Sequence, residues 1–187
     1  MENLILEEFM AIIVNLYGGP GCGKSTTAAY VFSKLKMLGI NAELVTEFAK
    51  DKTWEGNTKA LRCQPYVFGK QVYRIDRCID DVDVIVTDSP LLLSVVYNTD
   101  EAIKPHFTNM VFSKYAEYDN LNYILHRKKA YNPKGRNQTE DEAKMLDCCV
   151  FTLLDANHIN YKSVTGDIIG AEEIVKDVLA HLCVENA

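Results

Sequence analysis

The sequence has no long hydrophobic run, no internal repeat and no low-complexity tract. Its apolar stretches fall far short of the roughly 18 residues that a membrane-spanning helix needs, so we expect no membrane span. Residues 1–10 contain three glutamates and no basic residue. This pattern argues against a secretory signal and predicts a cytoplasmic protein, in the host cytoplasm if a phage encodes it. The length favours a single domain over residues 1–187.

The chain also lacks zinc-type cysteine spacing and an excess of positive charge. The six cysteines form no C-x-x-C pair, and no paired histidines suit zinc, so we interpret the cysteines as thiols of a reducing compartment. The formal net charge is −6, whereas nucleic-acid-binding proteins usually carry a basic surface. A DNA partner is therefore disfavoured. The sequence leaves open whether the chain forms a homodimer.

Residues 18–25, Gly-Gly-Pro-Gly-Cys-Gly-Lys-Ser, match the phosphate-binding pattern G-x-x-x-x-G-K-[ST] without a mismatch. An apolar, β-branched run at 11–17 precedes them and apolar residues recur at helical spacing over 26–38, which predicts strand, glycine loop and helix. The N–H groups of such a loop bind phosphate oxygens. We expect ATP with Mg²⁺ here, with Lys24 on the β- and γ-phosphates and the Ser25 hydroxyl on the metal. The predicted nucleotide-binding residues are Gly19, Gly21, Cys22, Gly23, Lys24, Ser25 and Thr26.

Three further absences narrow the class of phosphate-loop protein. No N-K-x-D segment is present to read guanine, although a preference for ATP over GTP stays open. The only D-x-x-G, residues 167–170, lies too near the C-terminus to serve as a switch. The chain leaves little room for the helical lid domain of an oligomeric motor. Phosphoryl transfer to a small acceptor is the interpretation that these absences favour.

Strands and helices alternate along the rest of the chain, which indicates an α/β fold with a parallel sheet covered on both faces. The apolar patterns predict strands at 41–46, 82–87, 121–125 and 161–164, and helices at about 59–80 (interrupted near Pro65), 139–157 and 171–183.

Asp88 follows the buried-looking strand at 82–87. Polar groups at the carboxyl end of a parallel strand face the ligand crevice, so Asp88 is a candidate ligand of Mg²⁺, directly or through water. The alternative is a helix cap before Pro90, and one carboxylate can serve both roles.

Acceptor-side residues are expected after the second strand. Glu47 is the candidate base for the acceptor hydroxyl, and Asp51 is the competing candidate. Gln71 and Arg74 lie one helical turn apart and could bind the acceptor's phosphate or base edge. The alternatives are a solvated acid for either carboxylate and, for Arg74, surface pairing with Asp76, Asp80 or Asp81.

A basic segment follows the strand at 121–125. It predicts a short mobile lid at about 127–138, in which Arg127 and Arg136 close over the transferred phosphoryl group and exclude water. The alternative interpretation is a solvated charge run.

Taken together, these residues resemble the kinase domain of nicotinamide ribosyl kinases and related small phosphate-loop kinases encoded by bacteriophages. The likeness covers roughly residues 11–182. It implies a P-loop NTPase three-layer sandwich with sheet order 2-3-1-4-5, and an ATP-dependent kinase whose acceptor is a nucleoside or a nucleoside monophosphate. The segments that carry it are 18–25, 46–50, Gln71, 87–89, Arg127 and 135–139.

Two departures limit what the resemblance implies. Residues 47–54 are also similar to deoxynucleoside kinases, but Asp88-Ser89-Pro90 lacks the arginine of the acid-Arg-Ser signature of that group. No adenylyltransferase domain precedes the kinase-like part, so a bifunctional role in NAD salvage is not implied. Two other hypotheses stay open: a phage-type kinase acting on modified bases or ends in DNA, and a non-catalytic module gated by nucleotide.

Overall fold

The computed structural model describes residues 10–128, 130–132 and 138–185. Within these ranges five parallel strands form one sheet. They are β1 (Ile12–Tyr17), β2 (Ala42–Val45), β3 (Val84–Thr87), β4 (Asp119–His126) and β5 (Lys162–Thr165). Their order across the sheet is β2-β3-β1-β4-β5, which confirms the order that the resemblance implied.

The register of the central strands places their loops at one edge. Ile12 of β1 lies opposite Val84 of β3 and Asp119 of β4, and Asn15 lies opposite Thr87 at the end of β3. Because all strands run in the same direction, the residues that follow β1, β2 and β3 emerge at the same edge of the sheet. This edge is where the predicted site residues meet.

Helices cover both faces of the sheet. They are α1 (Lys24–Met37), α2 (Phe48–Trp54), α3 (Thr58–Arg62), α4 (Gln64–Asp76), α5 (Leu93–Tyr97), α6 (Lys104–Tyr115), α7 (Glu140–Ala156) and α8 (Ile168–Glu185). One apolar core joins α1 and α8 to alternate strand residues such as Val14 and Val86. A second core joins the four helices α4, α5, α6 and α7 to the opposite face of the sheet, where Ile13 and Ile85 lie. The predicted three-layer sandwich is confirmed.

Local signals fixed several helix ends. Pro65 lies in the first turn of α4, where its missing N–H costs no intrahelical hydrogen bond, so the expected break separates α3 from α4. The start of α7 is a capping box: the Thr139 hydroxyl accepts the Glu142 N–H, and the Glu142 carboxylate accepts the Thr139 N–H. No helix in the described part of the chain is long and apolar enough to cross a lipid bilayer.

Tyr17, the last residue of β1, is fully buried, and its hydroxyl has no hydrogen-bond partner among the described residues. Burial, with Tyr115 adding to it, raises the pKa of this phenol well above its usual value. An unpartnered buried hydroxyl destabilises a fold by about 1–3 kcal/mol. We therefore expect Tyr17→Phe to raise the free energy of unfolding by about 1 kcal/mol in a urea titration.

Tyr123 provides the matched control for this substitution. It is also buried, but its hydroxyl donates to the Asp177 carboxylate at 2.8 Å. Tyr123→Phe removes a satisfied hydrogen bond and should lower the free energy of unfolding. Equal losses in the two variants would contradict the assignment of the Tyr17 hydroxyl as unsatisfied.

Candidate functional site

The glycine loop connects β1 to α1 and forms a cradle of backbone N–H groups. Gly23, which immediately precedes α1, has a φ of 111°, a conformation that a residue with a Cβ adopts only with strain. The first-turn N–H groups of α1 have no partner within the helix and point outward from its N-terminus. Ser25 and Thr26 are exposed in this turn, whereas Cys22 is buried in the core beneath the loop. The loop therefore has the shape of an anion site.

Lys24 extends its ammonium group across the loop. The ammonium donates to the carbonyl oxygens of Gly18 at 2.7 Å and Gly19 at 3.2 Å, which leaves its third N–H for a phosphate oxygen. Burial lowers the pKa of Lys24, but the acidic groups around it outweigh burial and raise the pKa above its usual value. Those groups are the side chains of Cys22, Tyr97, Glu47 and Asp88. Lys24 is therefore a positioned, permanent cation.

Asp88 lies directly after β3 and is 4% exposed. Its Oδ1 accepts the backbone N–H of Glu47 at 3.0 Å, which joins the ends of β2 and β3. The helix-cap alternative is not realised, because α5 begins at Leu93 without a side-chain cap. Asp88 and Ser25 line the same cavity. A hydroxyl and a carboxylate beside phosphates suit Mg²⁺, which usually keeps several waters and few protein ligands.

Glu47 occupies the position before the first residue of α2 and is partly buried. Burial raises the pKa of its carboxyl group, Lys24 opposes that rise and Asp88 adds to it. The same side chain lines a cavity of about 260 Å³ that also reaches Ser25 and Trp54. A carboxylate with a raised pKa is a stronger proton acceptor than an ordinary glutamate, so the position suits a general base.

The other predicted acceptor-side residues stabilise the segment that carries Glu47. Arg74 donates to the Thr46 carbonyl oxygen at 3.0 Å and forms an ion pair with Asp51. Gln71 is 3% exposed, and its side-chain oxygen accepts the Phe48 N–H at 3.1 Å. The surface pairing expected for Arg74 is thus made with Asp51 rather than with the three aspartates considered above. Asp51 lines the cavity but is already paired, so Glu47 is the better placed base.

Of the two predicted lid arginines, Arg127 contacts the phosphate loop. Arg136 lies outside the described residues. Arg127 donates to the Pro20 carbonyl oxygen at 2.7 Å and to the Asp147 carboxylate at 2.6 Å. Gly21 leaves room for it, because an added Cβ would lie 3.3 Å from the guanidinium. Arg136 falls outside the described part of the chain, as does half of the predicted lid, residues 129 and 133–137.

Asp147 is a site residue that the sequence analysis missed. It accepts the Gly19 N–H at 2.5 Å as well as the Arg127 bond. One signal could have found it: an acid at position 147 falls on the same helix face as Ala143 and Val150, both of which are buried. A carboxylate on an apolar face indicates a polar partner nearby.

The phosphate loop joins β1, the central strand of the parallel sheet, to α1, and the strand order is β2-β3-β1-β4-β5. These features define a P-loop NTPase, a class of nucleotide-binding proteins. A family model described as an AAA domain matches residues 13–169, and the chain belongs to this family. No curated protein shows a significant match to the chain.

Proposed function

We propose that the protein is an ATP- and Mg²⁺-dependent phosphotransferase that moves the γ-phosphate of ATP onto a nucleoside or nucleoside monophosphate. The observation that carries the proposal is the Glu47 carboxylate, with its raised pKa, at a cavity shared with Ser25 and Asp88. The cavity measures about 260 Å³, and this space suits a small organic acceptor.

Each residue of the site has a distinct role in this reaction. Lys24 and the loop amides, apart from the Gly19 amide that Asp147 accepts, hold the triphosphate. Arg127 and the predicted Arg136 stabilise charge on the transferred group. Ser25 and Asp88 would hold Mg²⁺, which neutralises charge on the β- and γ-oxygens when bound.

Glu47 handles the proton. As the acceptor oxygen bonds to the γ-phosphorus, the bond from that phosphorus to the bridging oxygen breaks and ADP leaves. The hydroxyl proton passes to the Glu47 carboxylate. The Asp88 bond to the Glu47 backbone N–H anchors this residue beside the cavity that its side chain lines.

Trp54 supports an acceptor that carries a heterocycle. The indole lines the cavity and is 69% exposed, although large aromatic side chains are usually well covered. Stacking of a base on an aromatic side chain contributes about 1–3 kcal/mol. We expect Trp54→Ala to raise KM for the acceptor about tenfold or more, with KM for ATP unchanged, and Trp54→Phe to retain most of the affinity.

The decisive experiment incubates the purified protein with Mg²⁺, ATP and a panel of nucleosides and nucleoside monophosphates. ADP and phosphorylated products are measured by chromatography with mass spectrometry. We expect ADP release that depends on one class of acceptor, with a product of matching mass. ADP formation at the same rate with and without every acceptor would mean hydrolysis instead. Nucleotide binding without turnover would favour a gated binding module, and steeply salt-dependent DNA binding would favour a DNA acceptor.

A further inference from the structure

The outer arm of the phosphate loop, residues 19–21, packs directly against α7. A Cβ at Gly19 would clash with the Ala143 carbonyl oxygen, so only glycine permits this approach. Arg127 links the two elements, because its guanidinium donates to the carbonyl oxygens of Pro20 at 2.7 Å and Ala143 at 3.1 Å. The arm is therefore held by a neighbouring helix rather than by α1 alone.

One carboxylate completes this arrangement. Asp147 accepts the Gly19 N–H at 2.5 Å through Oδ1 and the Arg127 Nε–H at 2.6 Å through Oδ2. The Arg127 and Asp147 side chains are 18% and 20% exposed, so solvent screens this pair less than an ordinary surface pair. Both oxygens of Asp147 are thus used in charge-assisted bonds, which are stronger and more directional than neutral ones.

The engaged guanidinium still has donors for a ligand. Arginine has five N–H groups, and three of those in Arg127 bond to Asp147, Pro20 and Ala143. Two have no partner among the described residues, and they lie at the outer arm of the loop. This arm comes before the part of the loop that joins the N-terminus of α1, and we expect it to lie beside the terminal phosphate of a bound triphosphate.

We propose that Asp147 is a positioning residue that holds Arg127 at the outer arm of the loop, so that the site binds a nucleoside triphosphate in preference to a diphosphate. The place of this pair in catalysis rests on the proposed phosphotransfer. Its effect on nucleotide binding does not, because the ratio of the ATP and ADP affinities is measurable without an acceptor.

The test is calorimetry with Mg²⁺, ADP and a non-hydrolysable ATP analogue. We expect Asp147→Ala to weaken binding of the analogue about tenfold while ADP affinity changes little. Arg127→Gln should give the same change, and the double variant should be no worse than either single variant, because Asp147 acts through Arg127. Asp147→Asn should lose part of the preference, since its one oxygen cannot accept from both donors.

Asp76→Ala is the matched control. Asp76 also accepts from a cation and a second donor, Lys114 and Tyr118, but it belongs to α4 and lies outside the loop. Asp76→Ala should leave the ratio of the affinities for the ATP analogue and ADP unchanged. Equal weakening of both nucleotides by Asp147→Ala, tighter binding of the analogue, or additive losses in the double variant would each overturn the proposal. If the affinity ratio changes as expected but no acceptor-dependent turnover is found, the proposed function is wrong and this inference still holds.

Discussion

Lys24→Ala is expected to lower kcat/KM for acceptor-dependent turnover by about 10²–10³-fold, the usual loss when one preorganised charge donor is removed. The ammonium group is held across the loop by the Gly18 and Gly19 carbonyl oxygens, so it reaches the phosphates without reorganising. Its pKa is raised above the usual value, so it stays charged throughout the neutral range. The measurement is the initial rate of ADP release at varied ATP concentration with saturating acceptor, which gives kcat/KM for ATP.

Lys34→Ala is the control for the loss of a positive charge on α1. Lys34 lies on the same helix, is 40% exposed and pairs with Glu172 at 3.6 Å, away from the loop. Its loss should leave kcat/KM within about twofold, as surface pairs contribute little. If Lys24→Ala retained more than about a tenth of the wild-type rate, the ammonium group would not be stabilising the transferred phosphate.

The parts of the fold that the sequence predicted are those governed by neighbouring residues. The glycine loop is recognisable because its motif, the strand before it and the helix after it are consecutive in the chain. The capping box of Thr139 and Glu142 is equally local. The sheet order came instead from the resemblance, because strand pairing depends on residues far apart in the chain.

Neither α2 nor α6 was predicted from the sequence. α2 contains Lys50, Asp51 and Lys52 and has one buried residue, Phe48, so it shows no periodic apolar face. α6 buries three residues four apart, but the polar residues between them weaken the pattern. Packing against other elements stabilises both helices, and local sequence does not show that packing.

The candidate site also contains residues that local patterns predict and contacts that only the folded chain creates. Lys24 and Ser25 follow from the motif, and Asp88 follows from its place after a buried strand. An acid on the apolar face of α7 indicates that Asp147 has a polar partner, but that partner, Gly19, is 128 positions away, so no local pattern identifies it. Gln71 and Arg74 were predicted to bind the acceptor, and the structure places them on the backbone around Glu47. Their contact with the acceptor stays a prediction.

Glu47→Gln is expected to lower kcat by about 10²–10⁴-fold, the usual contribution of a positioned general base. Glutamine has nearly the same shape, and the bond between the Glu47 backbone N–H and Asp88 does not involve the side chain that is replaced. ATP affinity should therefore be unchanged. The check is the comparison of kcat with the affinity for ATP measured by calorimetry.

The pH profile tests the same assignment independently. Burial raises the pKa of Glu47, with Lys24 opposing and Asp88 adding to the rise. A base works only when deprotonated, so kcat should fall as the pH drops through this raised pKa, above the value of about 4.3 of an ordinary glutamate. Glutamine does not titrate, so this acidic limb should disappear in Glu47→Gln.

Asp51→Asn separates the two candidate bases. The Asp51 carboxylate is paired with Arg74 and is 51% exposed, so it is poorly placed to take a proton inside the cavity. We expect Asp51→Asn to change kcat by less than about tenfold and to retain the acidic limb. A large loss of kcat in Asp51→Asn, with Glu47→Gln near wild type, would reassign the base to Asp51. In that case the burial of Glu47 would serve only to fix the turn between β2 and α2, because its carboxylate would take no part in proton transfer.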